Sequence, residues 1–149
     1  MKKILTCLMA ALGLTTACGQ ANQRSLAEGK SNYENTDVKG FAELRNDTNV
    51  VVLDVRTAEE FKEGHLDGAV NIDYKQSDFV EQAVASLPKN RTIAVYCRSG
   101  RRSASAAELL AKEGYRVVNM KGGIIAWQEA QMPVTTADGQ RHRGENQAL

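Results

Sequence analysis

Thr92-Ile93-Ala94-Val95-Tyr96-Cys97-Arg98-Ser99-Gly100-Arg101-Arg102-Ser103 is the stretch that decides the fold. Its first five residues form a short run, rich in β-branched residues and apolar on both faces, the pattern of a strand covered on both sides in a parallel sheet. Its last three open a helical run over 101–113, in which Ala104, Ala107, Leu110 and Ala111 make one apolar stripe and Gly114 supplies the stop. A cysteine therefore falls just past the C-terminal end of a buried strand, in the turn that leads into a helix. That is where open α/β sheets place their ligands.

The same two signals alternate on either side. Runs at 50–53, 69–72 and 116–118 read as further strands. Stretches at 40–45, 57–62, 77–86 and 124–129 read as helices, and Glu59 and Glu60 suit the positive first turn of the second of these. Strand and helix in alternation predict an α/β fold, a mainly parallel sheet with helices on both faces. The expected domain spans 37–133, preceded by a polar, flexible tether over 18–36 and followed by a polar tail over 134–149.

The first segment reads as a removable leader, 1–17, with Lys2 and Lys3 ahead of an apolar run that is shorter than the roughly 20 residues a bilayer span needs. Leu14-Thr15-Thr16-Ala17-Cys18-Gly19 resembles a bacterial lipoprotein signal, although Thr15 stands where that pattern usually has leucine. The resemblance implies acylation of Cys18 and a domain tethered to the cell envelope, facing the periplasm. Gly19 lacks the aspartate that holds such proteins at the inner membrane, which points to the outer one. Taking Lys2 and Lys3 from the 19 basic residues leaves 17 against 18 acidic ones, so overall charge makes no case for nucleic acid. With Cys7 in the leader and Cys18 acylated, Cys97 is left as the single free thiol.

The residues after Cys97 suit an ionised sulfur. A loop curling from strand end to helix start turns amide N–H groups inward, and the helix dipole adds to their field. Such surroundings lower a thiol from its ordinary pKa of about 8.5 and favour the nucleophilic thiolate. Gly100 permits the backbone such a ring needs, and Ser103 is placed to cap the helix or to donate to the sulfur. Arg98, Arg101 and Arg102 form a basic cluster suited to small anions, yet three cations at a helix start oppose its dipole and call for a compensating anion. Asp54 and Arg56, at the end of another strand, fit a supporting role behind the loop. His65 is a candidate either for a base or for a structural turn, and Trp127 fits the core. One thiol and two distant histidines make no zinc site, and no cofactor is expected.

Residues 96–103 resemble the active-site loop of single-domain rhodaneses. Leu53-Asp54-Val55-Arg56-Thr57-Ala58-Glu59-Glu60-Phe61 with Gly64-His65-Leu66-Asp67-Gly68-Ala69-Val70-Asn71-Ile72 is similar to that family's N-terminal signature, with Asp67 in place of the usual proline. Lys121-Gly122-Gly123-Ile124-Ile125-Ala126-Trp127 resembles its closing turn and helix. The resemblance implies a rhodanese-like five-stranded sheet and a persulfide on Cys97, with Arg98, Ser99, Gly100, Arg101, Arg102 and Ser103 around the substrate. It implies small sulfur-containing anions such as thiosulfate as donors, and cyanide, thiols or a thioredoxin-like protein as acceptors. Two rivals stay open. Cysteine-dependent phosphatases and arsenate reductases put five residues between cysteine and arginine, a position that Ser103 fills here, with Arg102 one residue early. A non-enzymatic module that binds partners or senses persulfides is the other.

Overall fold

A computed structural model of the chain describes residues 32–143. The apolar run becomes β4 (Thr92–Tyr96), the central strand of a five-stranded sheet completed by β1 (Glu34–Thr36), β2 (Val50–Asp54), β3 (Val70–Asn71) and β5 (Val117–Met120). The order is β1-β5-β4-β2-β3 and every pairing is parallel. β2 and β4 run in register from Val50 opposite Thr92 to Asp54 opposite Tyr96, so both strands end at the same level.

Alternation along the strands divides the interior into two cores. Leu53, Ile93, Val95 and Val117 face one side, where α3 (Phe79–Ser86) and α4 (Arg101–Lys112) close over them with Phe79, Ala83, Ala106, Ala107 and Leu110. Val52, Ala94, Tyr96 and Met120 face the other, where α1 (Val38–Leu44) and α5 (Gly123–Glu129) bring Phe41, Ile124 and Trp127. Both faces are thus covered by helices, as the apolar strands require. The remaining helix, α2 (Ala58–Glu63), follows β2 and is held at its start by a capping box between Thr57 and Glu60.

Two expectations need correction. The tether expected over 18–36 ends in structure, because Glu34–Thr36 pairs with Val118–Met120 as an edge strand. Its polar, mostly exposed residues carry no apolar alternation, since an edge strand with one neighbour has little to bury. The tail expected from 134 contains β6 (Pro133–Thr135) and β7 (Arg141–Arg143), an antiparallel hairpin. Val134 is buried, and Thr135 bridges to His65, which ties the hairpin to the turn after α2. The expected leader over 1–17 and the lipid-attachment residue Cys18 lie outside the described residues.

Candidate active site

The loop from Cys97 to Gly100 is fixed by its backbone before any side chain acts. Gly100 is the residue at which α4 begins, with φ at +101°, a conformation that disfavours a side chain. A Cβ there would also meet the Gly122 nitrogen at 3.3 Å. From the other side the first turn of α5 takes hold of the loop. Ile124 N–H donates to the Cys97 carbonyl at 2.9 Å and Ile125 N–H to the Arg98 carbonyl at 3.2 Å. Gly123 makes this approach possible, because a Cβ on it would stand 2.3 Å from the Arg98 oxygen. With the loop carbonyls engaged outward, its amides are left to turn inward.

The sulfur lies in that ring of donors. Gly100 N–H points at Cys97 Sγ over 3.1 Å and the Ser103 hydroxyl over 3.4 Å. Ser103 is fully buried and Cys97 is 1% exposed. Burial by itself pushes the thiol up, but the Ser103 hydroxyl and the amides of Ser103, Gly100 and Ser99 together outweigh it and bring the pKa below its ordinary value. Of the two roles open to Ser103, the hydroxyl takes donation to sulfur, and α4 has no side-chain cap.

The arginines separate into two groups. Arg102 forms a two-pronged pair with Glu60 of α2, both contacts at 2.8 Å. Glu60 is thus the compensating anion for the cationic helix start, and Arg102 holds its carboxyl at about 2. Arg98 and Arg101 are exposed and enter no ion pair among the described residues. They remain available to an incoming anion.

Behind the loop lies a buried polar network. Asp54 and Arg56 pair with each other, Nη2 to Oδ2 at 2.7 Å and Nε to Oδ1 at 3.0 Å, and neither forms a hydrogen bond with Cys97. The Tyr96 hydroxyl donates to Asp54 Oδ2 at 2.7 Å and accepts from Leu66 N–H at 3.1 Å. Arg56 also donates to the Gly64 carbonyl at 2.6 Å. The ends of β2 and β4 and the turn at 64–66 are thus locked together one residue before the cysteine. His65 stacks on Phe61 with ring centres 3.7 Å apart and makes a ring-nitrogen hydrogen bond to the Phe61 carbonyl, which gives it a turn-holding place. Trp127 is fully buried and donates to the Pro133 carbonyl.

Sequence reasoning did not assign Glu60 or Gly123 to the site, and it gave Tyr96, at the start of the loop, no role of its own. Glu60 carries a readable signal in the Thr-x-x-Glu spacing of a capping box, and Tyr96 is the one hydroxyl-tipped aromatic in an otherwise apolar strand. The close packing that demands Gly123 arises only when α5 meets the loop.

Residues 37–130 match the family model described as Rhodanese-like domain. A sulfurtransferase of Allochromatium vinosum is 34% identical over 97 residues, covering 64% of this chain and 88% of its own length. The thiosulfate sulfurtransferase PspE of Escherichia coli K12 is 40% identical over 73 residues, 48% of this chain and 68% of its own. Among solved structures, a rhodanese-related protein from Thermoplasma volcanium superposes with a TM-score of 0.62 at 31% identity, covering 69% of this chain and 98% of its own.

Proposed function

The chain belongs to the rhodanese-like domain family, and from that premise we propose that it moves a sulfane sulfur from a donor such as thiosulfate to a thiophilic acceptor through a persulfide on Cys97. The observation that carries this reading is the inward ring of donors, Gly100 N–H and the Ser103 hydroxyl, around a thiol whose pKa is lowered. In the first step the Cys97 thiolate attacks the outer sulfur of thiosulfate, and the donor's S–S bond breaks as sulfite departs with the bonding pair. The negative charge passes to the outer sulfur of the persulfide. In the second step cyanide or a thiolate attacks that outer sulfur, and the electron pair returns to Cys97 as thiolate. Loop donors that favour the anion favour both ends of this cycle. Arg98 and Arg101 draw the anionic donor to the loop. A small thiol or a thioredoxin-like protein fits the acceptor role.

Incubation with thiosulfate adds one sulfur atom to Cys97 by mass spectrometry, and later cyanide yields thiocyanate; Cys97→Ser abolishes both. Absence of adduct and product with every donor tried favours a binding module instead, and aryl phosphate turnover lost in Cys97→Ser favours a phosphatase. An exported, lipid-tethered setting through Cys18 belongs to the same reading, supported by the pattern of the leader. Cys18→Ala then releases the chain from sedimented membranes, and undiminished membrane association refutes the tether.

A further inference from the structure

At the end of the sheet away from Cys97, one flank of β2 is only partly covered. β4 pairs with β2 all the way from Val50 to Asp54, but β3 is two residues long and pairs only with Leu53 and Asp54. In a parallel ladder the N–H and C=O of one residue point to the same side, and successive residues alternate. The Asp54 carbonyl accepts from Ile72 N–H on the β3 side, whereas Val55 N–H donates to Tyr96 on the β4 side. Counting back by twos, Val52 and Val50 also face the β3 side, below the point where β3 begins. Val50 N–H is taken by the Asp47 carbonyl, which leaves the Val50 carbonyl and the Val52 amide directed at the gap.

A cleft of about 390 Å³ occupies that gap, walled by Val50, Val51 and Val52, with Val70 above and with Arg45 and Arg91 on its rim. Its size is at the lower end of what ligand clefts offer. Val70 is 40% exposed, one of three large apolar side chains left outside among the described residues. Arg45 is held in place over the Trp127 ring at 5.5 Å and by donation to the Asp67 carbonyl at 3.1 Å. Neither Arg45 nor Arg91 has a carboxylate partner among the described residues, and Asp67, the carboxylate on the rim, is taken by Arg141. The cleft thus joins two main-chain groups with no main-chain partner among the described residues, an apolar wall and positive charge that no described carboxylate pairs.

The geometry points to a docking slot for an extended acidic peptide of a partner protein, which adds to β2 as a strand segment in line with β3. Three residues of β2 present about 10 Å of edge, enough for a short segment whose main chain supplies the bonding and whose side chains supply the choice. Apolar residues of that segment meet Val51 and Val70, and carboxylates at its ends meet Arg45 and Arg91. The slot lies apart from the sulfur site and stands or falls independently of it.

The test is fluorescence anisotropy of the full chain with a labelled acetyl-Glu-Val-Thr-Val-Glu-amide. Saturable binding is expected, about tenfold weaker when both glutamates are lysines, and abolished when the central amide nitrogens are methylated. Arg91→Glu is expected to weaken binding at least as much while its thermal melt stays unchanged. Lack of saturation, or equal binding of the lysine or methylated peptide, overturns the proposal. So does a gain of affinity on deleting residues 144–149, which would give the slot to this chain's own end. A concentration-dependent dimer dissolved by Arg91→Glu would give it to a second copy and overturn it as well.

Discussion

Glu60→Gln probes how the loop is braced. Glu60 joins α2 to the start of α4: its two oxygens accept from Arg102 at 2.8 Å each, and one of them also accepts from Thr57 N–H at 3.0 Å. Arg102 draws the carboxyl from 4.5 to about 2. At about 1.4 kcal/mol per unit this is roughly 3 kcal/mol of preference for the ionised form. The two side chains keep 22% and 27% of their surface in water, however, and screening reduces a pair of that kind to about 1 kcal/mol. Because the folded pKa lies below the unfolded one, the contribution is complete above pH 4.5 and is lost as pH falls from there towards 2. Glutamine keeps the size and one acceptor oxygen, so the cap on α2 survives in part. Thermal melts followed by circular dichroism at pH 7 are expected to fall by about 3 to 5 °C. That gap narrows to roughly half by pH 3. Equal melting at pH 7, or a gap that stays constant as pH falls, refutes the reasoning.

Ser103→Ala removes a hydroxyl donor worth about 1 kcal/mol to the thiolate, so the acid limb of Cys97 alkylation by iodoacetamide moves to higher pH and the rate at pH 6 falls about fivefold. Superimposable limbs would deny the hydroxyl its role. Tyr96→Phe leaves Asp54 Oδ2 and Leu66 N–H without their shared partner, and calorimetry is expected to show a loss of about 1 to 3 kcal/mol; an unchanged melting temperature would show that the network does not brace the strand ends. Arg98→Gln combined with Arg101→Gln raises KM for thiosulfate and flattens its dependence on ionic strength, measured as thiocyanate formed with cyanide; an unchanged KM removes both arginines from donor capture.

The fold was legible where burial is two-sided. β4 was read to the residue, and Glu59 and Glu60 mark the first turn of α2. It was illegible at the margins, where β1 and β7 contribute mainly main-chain pairing and expose most of their side chains, so hydrophobic periodicity leaves no trace of them. The Asp138-Gly139 pair did carry the hairpin signal, with Gly139 at φ +78°. Its flanking runs are too polar to read as strands.

The site shows the same division on a smaller scale. In the sequence Arg56, Arg98, Arg101 and Arg102 carry the same charge, and three of them read as one basic patch. The fold assigns them different work through partners 2 and 42 residues away: Arg56 is spent on Asp54 inside the protein and Arg102 on Glu60 across two helices. Arg98 and Arg101 keep their charge unpaired among the described residues, while the thiolate itself depends on neutral donors, the Ser103 hydroxyl and the loop amides. For the sulfur transfer we propose, neutral donors are an advantage, because they stabilise an anion on either sulfur without an ion pair that must be broken when the outer sulfur leaves. Which cations are free and which are spent depends on Glu60 and Asp54 as much as on the arginines, and that pairing is written in the topology that brings β2, α2 and α4 to one end of the sheet.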